Sequence, residues 1–353
     1  MVAGVDVGIG IIGSGAISEV HARAIQAIGG ARVVGFFSRS RDAAQARAGQ
    51  FGAVAYTRVE DLVEDPAVHA VSICTPSGAH MEPAILAAKS RKHVMVEKPI
   101  EISLDRVDAI VAACRENGVK LGSIFPRRLL PSSRALKKAI SEGRFGSIAL
   151  ADVYIKWYRT QEYYAQGGWH GTRRYDGGGA LMNQGIHGVD LLQWLMGGIE
   201  TVSAFTALRG HTGLEVEDVA VASVRFRSGA LGIIEATTGA WPGDRLRVEI
   251  AGDQGSVVME DEAIRTWKFR QSTKEDEEIA IRLGPREGMS TGGSSDPRAI
   301  DDAGHVRQFA DFVAAIRDDR APAIDGVEAR AAVAVVTAVY RSAEEGRAVA
   351  VER

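Results

Sequence analysis

Residues 7–18 read Val-Gly-Ile-Gly-Ile-Ile-Gly-Ser-Gly-Ala-Ile-Ser, and they decide the fold of the first part of the chain. The apolar run 7–12 predicts a buried strand, a helical pattern follows the glycines, and residues 32–37 predict a second strand. In this context the pyrophosphate of a dinucleotide lies at the helix N-terminus. We expect Gly13 to permit the tight turn, and Gly15, Ala16 and Ile17 to bring backbone N–H groups to the phosphates.

The end of the second strand bears on the choice of cofactor. It reads Phe-Phe-Ser-Arg-Ser-Arg over residues 36–41, with no carboxylate before Asp42. NAD enzymes usually place an acidic residue here, which binds the ribose 2′-hydroxyl. Ser38 and Arg39 suit a 2′-phosphate instead, so the sequence favours NADP over NAD. The alternative is that Ser40 caps the next helix and the arginines are solvated.

Strands and helices keep alternating up to residue 124, which predicts a doubly wound parallel sheet of the Rossmann type. Further strands are expected at 70–74, 93–97 and 119–124. Ligands bind beyond the carboxyl ends of such strands. The residues that follow these ends, and are predicted to line a cofactor rim with the glycine turn, are Ser38, Thr75, Pro76, His80, Glu97 and Lys98. Lys98 is the most informative, because Pro99 fixes the turn around it.

The pattern changes after Gly146, where strands follow one another over 148–158, 201–209, 219–227, 230–236 and 246–251. Ser228-Gly229 predicts a hairpin between two of them. An antiparallel sheet, and so a second domain, follows from this arrangement. We place the domains at 1–125 and 126–353. Residues 270–301 are charged and rich in Gly and Ser, which predicts a mobile segment or a loop over the site, and helices are expected at 305–317 and 327–346.

A second informative stretch is 176–198, where three glycines precede a helical pattern that ends at Gly197-Gly198. Asn183, His187 and Asp190 are four and three positions apart, which places them on one face of an α-helix. The other side is apolar and predicted to enter a core; it carries Leu181, Leu192, Leu195 and Met196. Three aligned polar groups favour a functional site, whereas the alternative is a buried histidine satisfied by its neighbours.

An aromatic loop precedes this stretch and contains Tyr163, Trp169 and His170. One interpretation is ordinary loop packing, and the other is a wall against substrate or nicotinamide. Overall, the formal net charge of −3 argues against a nucleic-acid or anionic-membrane partner. Cys74 and Cys114 lie in apolar runs and are expected to be core residues in a reducing compartment, without a metal site. No signal peptide or membrane-spanning run is apparent, so we expect a cytoplasmic protein.

Four motifs occur in order: Gly-Ile-Ile-Gly-Ser-Gly-Ala-Ile-Ser, Thr-Pro-x-x-x-His, Glu-Lys-Pro and Gly-Gly-Gly-x-Leu-x-Asn-x-Gly-x-His-x-x-Asp. With them the chain resembles the glucose–fructose oxidoreductase/inositol dehydrogenase/MocA (Gfo/Idh/MocA) oxidoreductases over nearly its whole length. The resemblance implies an N-terminal Rossmann domain and a C-terminal α/β domain with a large open, mainly antiparallel sheet. That sheet often joins subunits, which implies a homodimer or homotetramer.

The family's activities imply reversible oxidation of a hydroxyl on a sugar, polyol or sugar derivative with NAD or NADP. Lys98 matches the family's catalytic lysine and His187 its acid/base histidine. Asn183 stands where many members have aspartate, and asparagine cannot take a proton. Trp169-His170 matches a Trp-Arg pair that lies against the nicotinamide in some members, although histidine replaces the arginine here.

We therefore expect hydride transfer with His187 as acid/base, Lys98 as electrostatic partner, and Asn183 and Asp190 orienting or binding substrate. Tyr163, Trp169 and His170 complete the predicted substrate-binding residues. Two alternatives stay open. One is a glycosidase-like reaction with tightly held NAD and no net redox change. The other is a non-enzymatic sensor that binds a dinucleotide.

Overall fold

The structure is a computed structural model that describes residues 6–165, 168–286, 292–295 and 302–353. The chain forms two compact units, of which the first comprises Met1–Pro126 and Ile300–Arg330 and the second Arg127–Ala299 and Ala331–Arg353. The domain bounds 1–125 and 126–353 stay a prediction. The segment Ile300–Arg330, which the sequence pattern assigns to the second domain, is grouped with the first unit.

The strands, in chain order, are β1 Val7–Ile12, β2 Ala31–Phe37, β3 Val54–Tyr56, β4 Ala70–Ile73, β5 His93–Val96, β6 Leu121–Ser123, β7 Ile148–Lys156, β8 Ile199–Ala207, β9 Val219–Phe226, β10 Leu231–Thr237, β11 Arg247–Gly252, β12 Gly255–Glu260, β13 Ala263–Phe269 and β14 Val349–Ala350. The α-helices are α1 Ala16–Gln26, α2 Arg41–Phe51, α3 Val59–Glu64, α4 Met81–Lys89, α5 Leu104–Glu116, α6 Pro131–Ser141, α7 Gln161–Ala165, α8 Ile186–Met196, α9 Lys274–Arg282, α10 Asp302–Arg317 and α11 Gly326–Glu345. None of the described helices is long and apolar enough to cross a bilayer.

The first unit contains a six-stranded sheet in the order β3-β2-β1-β4-β5-β6, and all its neighbouring strands are parallel. All residues of β1 and β4 are buried, as expected for central strands covered on both faces. The order reverses direction between β1 and β4. The Rossmann prediction is therefore confirmed, and the rim at the strands' carboxyl ends is the expected ligand side.

Helix α10 explains why residues 302–317 belong with the first unit. Phe309, Phe312 and Val313 lie in the same buried cluster as Val7 and Ile9 of β1. Polar contacts add to this apolar packing, because the Gln308 side chain accepts a hydrogen bond from Phe125 N at 3.0 Å and donates to Ser123 O. Sequence periodicity identified the helix correctly but carries no information on which core it joins.

The second unit contains an eight-stranded sheet in the order β13-β12-β11-β7-β10-β9-β8-β14. Only β7 and β10 pair in parallel, so the prediction of a mainly antiparallel sheet is confirmed. The predicted hairpin joins β9 to β10, and Gly229 adopts a positive φ of 91° in its turn. The structure also contains strands β12 to β14 and helix α6, which the sequence pattern did not predict.

The prediction of a mobile loop over residues 270–301 is wrong for the part that forms α9. Thr273 caps this helix, and Asp276 completes a capping box by accepting from the Thr273 backbone N–H. Arg144 donates to both oxygens of Asp276, and Trp267 Nε1 donates to it at 2.7 Å. Within the predicted loop, residues 287–291 and 296–301 lie outside the described residues, as do Gln166 and Gly167 of the aromatic loop.

Candidate active site

The glycine turn after β1 has the geometry of a phosphate-binding turn. Gly13 has a φ of 118°, and a Cβ at this position would lie 2.5 Å from Cys74 O, so only glycine fits. A Cβ on Gly15 would meet no atom within 4 Å, and no side chain caps the N-terminus of α1. The first N–H groups of a helix have no partner within the helix. The turn therefore offers open space beside uncapped N–H donors, which fits a pyrophosphate.

Ser38 lies beside this turn. Its Oγ accepts from Ser14 Oγ at 2.9 Å and from Ser40 N at 3.3 Å. Ser40 also accepts from Ala43 N and caps α2, which confirms the alternative considered for that residue. Arg39 is exposed. The structure thus places one hydroxyl at the turn and one guanidinium in solvent, and both remain available to a ribose or its phosphate.

The turn after β4 is fixed by internal hydrogen bonds. Thr75 Oγ1 donates to Ala79 O at 2.8 Å. The His80 ring lies between two carbonyl oxygens, with Nδ1 2.9 Å from Pro99 O and Nε2 2.9 Å from Thr75 O. His80 is only 1% exposed. This position favours a structural role, in which His80 joins the turn after β4 to the turn after β5, over the predicted contact with cofactor.

Glu97 ends β5 and uses its carboxylate within the first unit. Oε2 accepts from Lys98 N at 2.8 Å, and Oε1 lies 2.7 Å from His21 Nε2 and 3.6 Å from His305 Nε2. Burial alone would raise the pKa of Glu97, but its interactions with the two histidines outweigh burial and bring that pKa well below its usual value. Burial lowers the pKa of His21. These contacts favour holding the Lys98 backbone over the predicted contact of Glu97 with cofactor.

His21, Glu97 and His305 are also the group of three potential metal ligands found among the described residues, with ligand atoms within 4.8 Å of one another. Two donors bound to one tetrahedral zinc ion lie about 3.3 Å apart, as follows from the usual bond lengths. The 2.7 Å between His21 Nε2 and Glu97 Oε1 is the separation of a hydrogen bond. His21 Nδ1 further contacts Ser72 Oγ at 2.7 Å. The cluster is accounted for as a hydrogen-bonded network.

The stretch around His187 is helical, but not uniformly α-helical. Residues Ala180–Gly185 form a π-helix, and α8 follows over Ile186–Met196 and is capped by Gly197 in the left-handed conformation. The prediction of a single α-helical face through Asn183 and His187 is therefore wrong in its geometry, since a π-turn contains more residues per turn. The apolar anchors are confirmed as buried; they are Leu181, Leu192, Leu195 and Met196.

Exposure singles out His187 within this segment. Every residue from Gly178 to Gln193 is buried except His187, which is half-buried. In α8 the half-buried residues are His187 and Trp194. Asn183 is buried and paired with Asp176, and Asp190 is buried and paired with Arg128. His187 is therefore the least buried polar side chain of this segment, as a residue that exchanges protons with a ligand would have to be.

The two glycines before the π-helix are required by the close approach of Glu217 and Tyr340. A side chain on Gly178 would collide with Tyr340, and one on Gly179 would collide with the Glu217 backbone. The Glu217 carboxylate accepts from Gly179 N at 2.7 Å, Leu181 N at 2.8 Å and Tyr340 Oη at 2.9 Å. Burial raises the pKa of Glu217 to about 6, despite these donors. Glu217 therefore anchors the start of the helix that carries His187.

Asn183 and Asp190 each contact a charged group. Asn183 Nδ2 donates to Asp176 Oδ1 at 2.6 Å, and Asp176 Oδ2 accepts from Gly171 N at 2.8 Å. Arg128 donates to both oxygens of Asp190, at 2.8 and 2.6 Å. Asp190 is 1% exposed, which favours positioning of the helix over the predicted contact with substrate. Asn183 is 8% exposed and lies four residues before His187, and its contact with substrate stays a prediction.

The aromatic loop forms a small stack. The rings of Trp169 and His170 are 3.9 Å apart and nearly parallel, and the Tyr163 ring lies 4.6 Å from that of His170. Tyr163 Oη accepts from Gln184 Nε2 of the π-helix at 3.4 Å. The structure therefore brings Tyr163, Trp169 and His170 together and joins them to the segment that carries Asn183. Ordinary loop packing and a wall against substrate or nicotinamide would both produce these contacts.

Three residues that shape the site are not predicted by the sequence pattern: Asp176, Glu217 and Arg128. Asp176 begins the glycine-rich stretch and could have been recognised as an acceptor for nearby donors. Glu217 and Arg128 carry no local signal, because their partners are 36 and 62 residues distant in the chain. Lys98 belongs to the first unit and His187 to the second.

Comparison with known proteins agrees with both units. Residues 7–125 match the family model described as an oxidoreductase family with an NAD-binding Rossmann fold, and residues 133–258 match the Gfo/Idh/MocA C-terminal domain. The first match contains the glycine turn and Lys98. The second contains Asn183, His187 and Asp190.

Relatives match over the full length. The 1,5-anhydro-D-fructose reductase of Ensifer adhaerens is 30% identical, with 97% of this chain and 98% of the relative covered. The myo-inositol 2-dehydrogenase of Thermotoga maritima is 27% identical and covers 98% of both chains. The WlbA dehydrogenase from Bordetella pertussis, solved with NADH and UDP-GlcNAcA, is 32% identical over 100% of both chains with a TM-score of 0.90. The chain belongs to the Gfo/Idh/MocA family of oxidoreductases, with an NAD-binding Rossmann domain at its N-terminus.

Proposed function

We propose that this protein transfers a hydride between a nicotinamide dinucleotide and the hydroxyl- or carbonyl-bearing carbon of a sugar, polyol or sugar derivative. His187 acts as the acid/base and Lys98 as its electrostatic partner. The substrate class is supported by the relatives, which are named for an anhydrosugar and an inositol, and by the sugar nucleotide in the WlbA complex.

One observation carries the proposal: His187 is the single residue of the segment Gly178–Gln193 that is not buried. The segment that carries this imidazole is held in place by a π-helix, by two glycines that leave no room for a side chain, and by the hydrogen bonds of Glu217. Histidine suits proton transfer because its unperturbed pKa of about 6.5 lies near physiological pH.

In this proposal the two residues transfer a proton and stabilise the charge on the substrate oxygen. When bound, the nicotinamide supplies the hydride acceptor or donor. In the oxidative direction His187 takes the hydroxyl proton, and in the reductive direction it returns one to the forming alkoxide. The Lys98 ammonium stabilises the negative oxygen in either direction. Its backbone is fixed by the hydrogen bond from Lys98 N to Glu97, which limits the positions that the ammonium can reach.

Turnover of a substrate panel tests the proposal. The panel contains 1,5-anhydro-D-fructose, myo-inositol, levoglucosan and UDP-GlcNAcA, each with NAD(H) and NADP(H). We expect reduced or oxidised nicotinamide to accumulate with at least one of them. His187→Ala and Lys98→Met should each lower kcat by about 100-fold or more, the range of a lost acid/base or oxyanion-stabilising group. The exposed Lys89→Met is the matched control and should retain activity.

Wild-type-like turnover by His187→Ala or Lys98→Met would contradict the assigned roles. Cofactor that copurifies without net formation of reduced nicotinamide would favour the glycosidase-like reaction instead. Tight dinucleotide binding without turnover of any sugar or polyol would favour a sensor.

We further propose a preference for NADP over NAD. The end of β2 offers the Ser38 hydroxyl and the exposed Arg39, and no carboxylate that would repel a 2′-phosphate. The solved WlbA relative holds NADH, so the preference has to be measured on this chain. Titration with NADPH and NADH is the direct test. Arg39→Ala should weaken NADPH binding about tenfold, the loss expected for one charge-assisted hydrogen bond, and leave NADH binding nearly unchanged.

We also propose that the second unit's sheet joins copies of this chain into a dimer or tetramer. One sheet face exposes large apolar side chains over adjacent strands; they are Leu150 at 49%, Phe205 at 82%, Val221 at 42%, Leu231 at 50% and Ile233 at 40%. The register pairs Phe205 with Val221 and Leu231 with Leu150, and Ile233 lies diagonally across from Val221, whose direct partner is Glu235. Exposed apolar side chains grouped on one face in this way are typical of an interface. Light scattering should give a multiple of 37.6 kDa, and Phe205→Glu with Leu231→Glu should yield the monomer.

A further inference from the structure

The contact between Asp176 and Asn183 accounts for the asparagine that distinguishes this chain from many inositol-dehydrogenase-like members. Asp176 is 1% exposed and Asn183 is 8% exposed. One carboxylate oxygen of Asp176 accepts from Asn183 Nδ2 at 2.6 Å, and the other accepts from Gly171 N at 2.8 Å. Asp176 thus joins the end of the aromatic loop to the π-helix.

The charge of Asp176 dictates the chemistry of its neighbour. An ionised carboxylate only accepts hydrogen bonds, so the group facing it must donate. Asparagine meets this requirement with Nδ2, which turns its carbonyl oxygen Oδ1 to the other side of the amide. A carboxylate at position 183 would bring two acceptor oxygens into hydrogen-bond distance inside a buried site, and one of them would have to bind a proton.

We propose that Asp176 is a positioning residue that supplies the carboxylate of this site in place of residue 183, and that it fixes the amide of Asn183 in one orientation, with Nδ2 towards Asp176. The inference rests on the proposed function for its kinetic consequence. The coupling of the two side chains stands independently of it.

The titratable and charged groups near the pair limit what a pH profile can show. Burial, with a smaller contribution from the negative charge of Asp176, raises the pKa of Tyr163 to about 12 and those of Tyr164 and Tyr340 further above the usual value. These tyrosines stay protonated over pH 5.5–9. Arg159 lies 5.7 Å from the Tyr163 ring and stays charged. Glu217, which binds the start of the same π-helix, titrates in this window, because burial raises its pKa to about 6.

The experiment exchanges the two side chains. Asn183→Asp places two carboxylates in contact, and we expect kcat to fall about 10- to 100-fold at pH 8 and to recover in part towards pH 6, where the pair shares a proton. Asp176→Asn places an amide donor opposite either the Gly171 N–H or Asn183 Nδ2, unless the Asn183 amide turns over and loses its native orientation, and it should lower kcat about tenfold. The double exchange, Asp176→Asn with Asn183→Asp, restores a hydrogen bond between the two positions. The amide at position 176 donates to the carboxylate at 183, while its oxygen still accepts from Gly171 N. The double variant should recover to within about fivefold of the wild type.

Gln184→Glu provides the matched control, because it adds a charge to the next buried amide in the same π-helix. Asp176→Asn should not rescue Gln184→Glu. A wild-type pH profile for Asn183→Asp, or a double exchange no more active than the worse single variant, would overturn the proposal.

A stability cycle separates this proposal from the proposed function. Unfolding of the four proteins is measured at pH 8 and pH 6 without substrate. We expect Asn183→Asp to lower the melting temperature more at pH 8 than at pH 6, and the double exchange to recover it. If no sugar or polyol is turned over but this recovery is seen, the pair is confirmed and the assigned reaction fails. Additive losses in the cycle would mean that the two side chains are not coupled.

Discussion

Arg128 and Asp190 form a two-point ion pair in which Nε meets Oδ2 at 2.8 Å and Nη2 meets Oδ1 at 2.6 Å, with both side chains at most 2% exposed. Asp190 lies on α8, three residues after His187. Arg128 lies in a short 3₁₀ turn at the start of the second unit. The pair therefore fixes the rotation of the helix that presents the proposed acid/base.

Removal of one partner should destabilise the chain. Asp190→Asn leaves the Arg128 guanidinium buried opposite a neutral amide, and we expect a loss of about 3–5 kcal/mol in the free energy of unfolding. Arg128→Lys should lower the free energy of unfolding by much of the same amount, because an ammonium cannot donate two parallel hydrogen bonds to one carboxylate. Denaturant titration measures both. The double variant Arg128→Met with Asp190→Leu should be more stable than either single variant. If Asp190→Asn instead raised only KM, with unchanged stability, the earlier prediction of substrate contact would be restored.

The two turn glycines should respond differently to alanine. Gly13→Ala requires a positive φ and places a Cβ 2.5 Å from Cys74 O, so we expect a loss of stability of more than about 1 kcal/mol together with loss of dinucleotide binding. Gly15→Ala meets no atom within 4 Å and should fold normally. Its methyl group would occupy the space next to the uncapped helix N-terminus, and dinucleotide affinity should fall about tenfold or more. Calorimetric titration alongside thermal unfolding separates the two effects. Unchanged affinity in Gly15→Ala would show that the phosphates bind elsewhere.

Glu217 should make stability depend on pH. Its folded pKa of about 6 lies above the ordinary value of 4.5, so the folded chain binds this proton more tightly than the unfolded chain. The contribution is therefore fully present below about pH 4.5 and is lost as pH rises through about 6, with a total of about 2 kcal/mol. Glu217→Gln should remove this slope, and it should also lower kcat by loosening the start of the π-helix. Urea titrations at pH 5 and pH 7 give the slope. An equal slope in wild type and variant would assign the pH dependence to another group.

Glu97 offers a test of positioning against cofactor contact. Glu97→Gln can still accept from Lys98 N and can donate to His21 if that imidazole changes its tautomer, so we expect dinucleotide affinity within about threefold of the wild type. Glu97→Ala frees the Lys98 backbone and should lower kcat about tenfold or more at little cost in affinity. Both constants come from steady-state kinetics with fluorescence titration of the reduced cofactor. A loss of affinity in Glu97→Gln would restore the prediction that this carboxylate touches the cofactor.

Much of the architecture follows from local pattern. The run Val7–Ile12 with its glycine turn defined β1 and the start of α1, because a fully buried parallel strand and a phosphate turn both leave strong local signals. Alternation of strands and helices predicted the parallel sheet, and Ser228-Gly229 predicted the β9–β10 hairpin. Helix α9 was missed, although Thr273 and Asp276 form a capping box, since the charge of the segment concealed that signal.

The sequence also indicated which residues form the candidate site, because Lys98 precedes a proline and His187 lies in a helical pattern with several polar residues. It did not indicate which groups these segments contact, because those contacts join positions that are far apart in the chain. Only the tertiary structure pairs Asp190 with Arg128, Glu217 with the start of the π-helix, and Glu97 with His21 and His305. It likewise places α10 on the core of the first unit. Local propensity and periodicity determine elements and their turns, whereas the partners of buried charges depend on which distant segments pack together, and that is decided by burial and electrostatics in the folded chain.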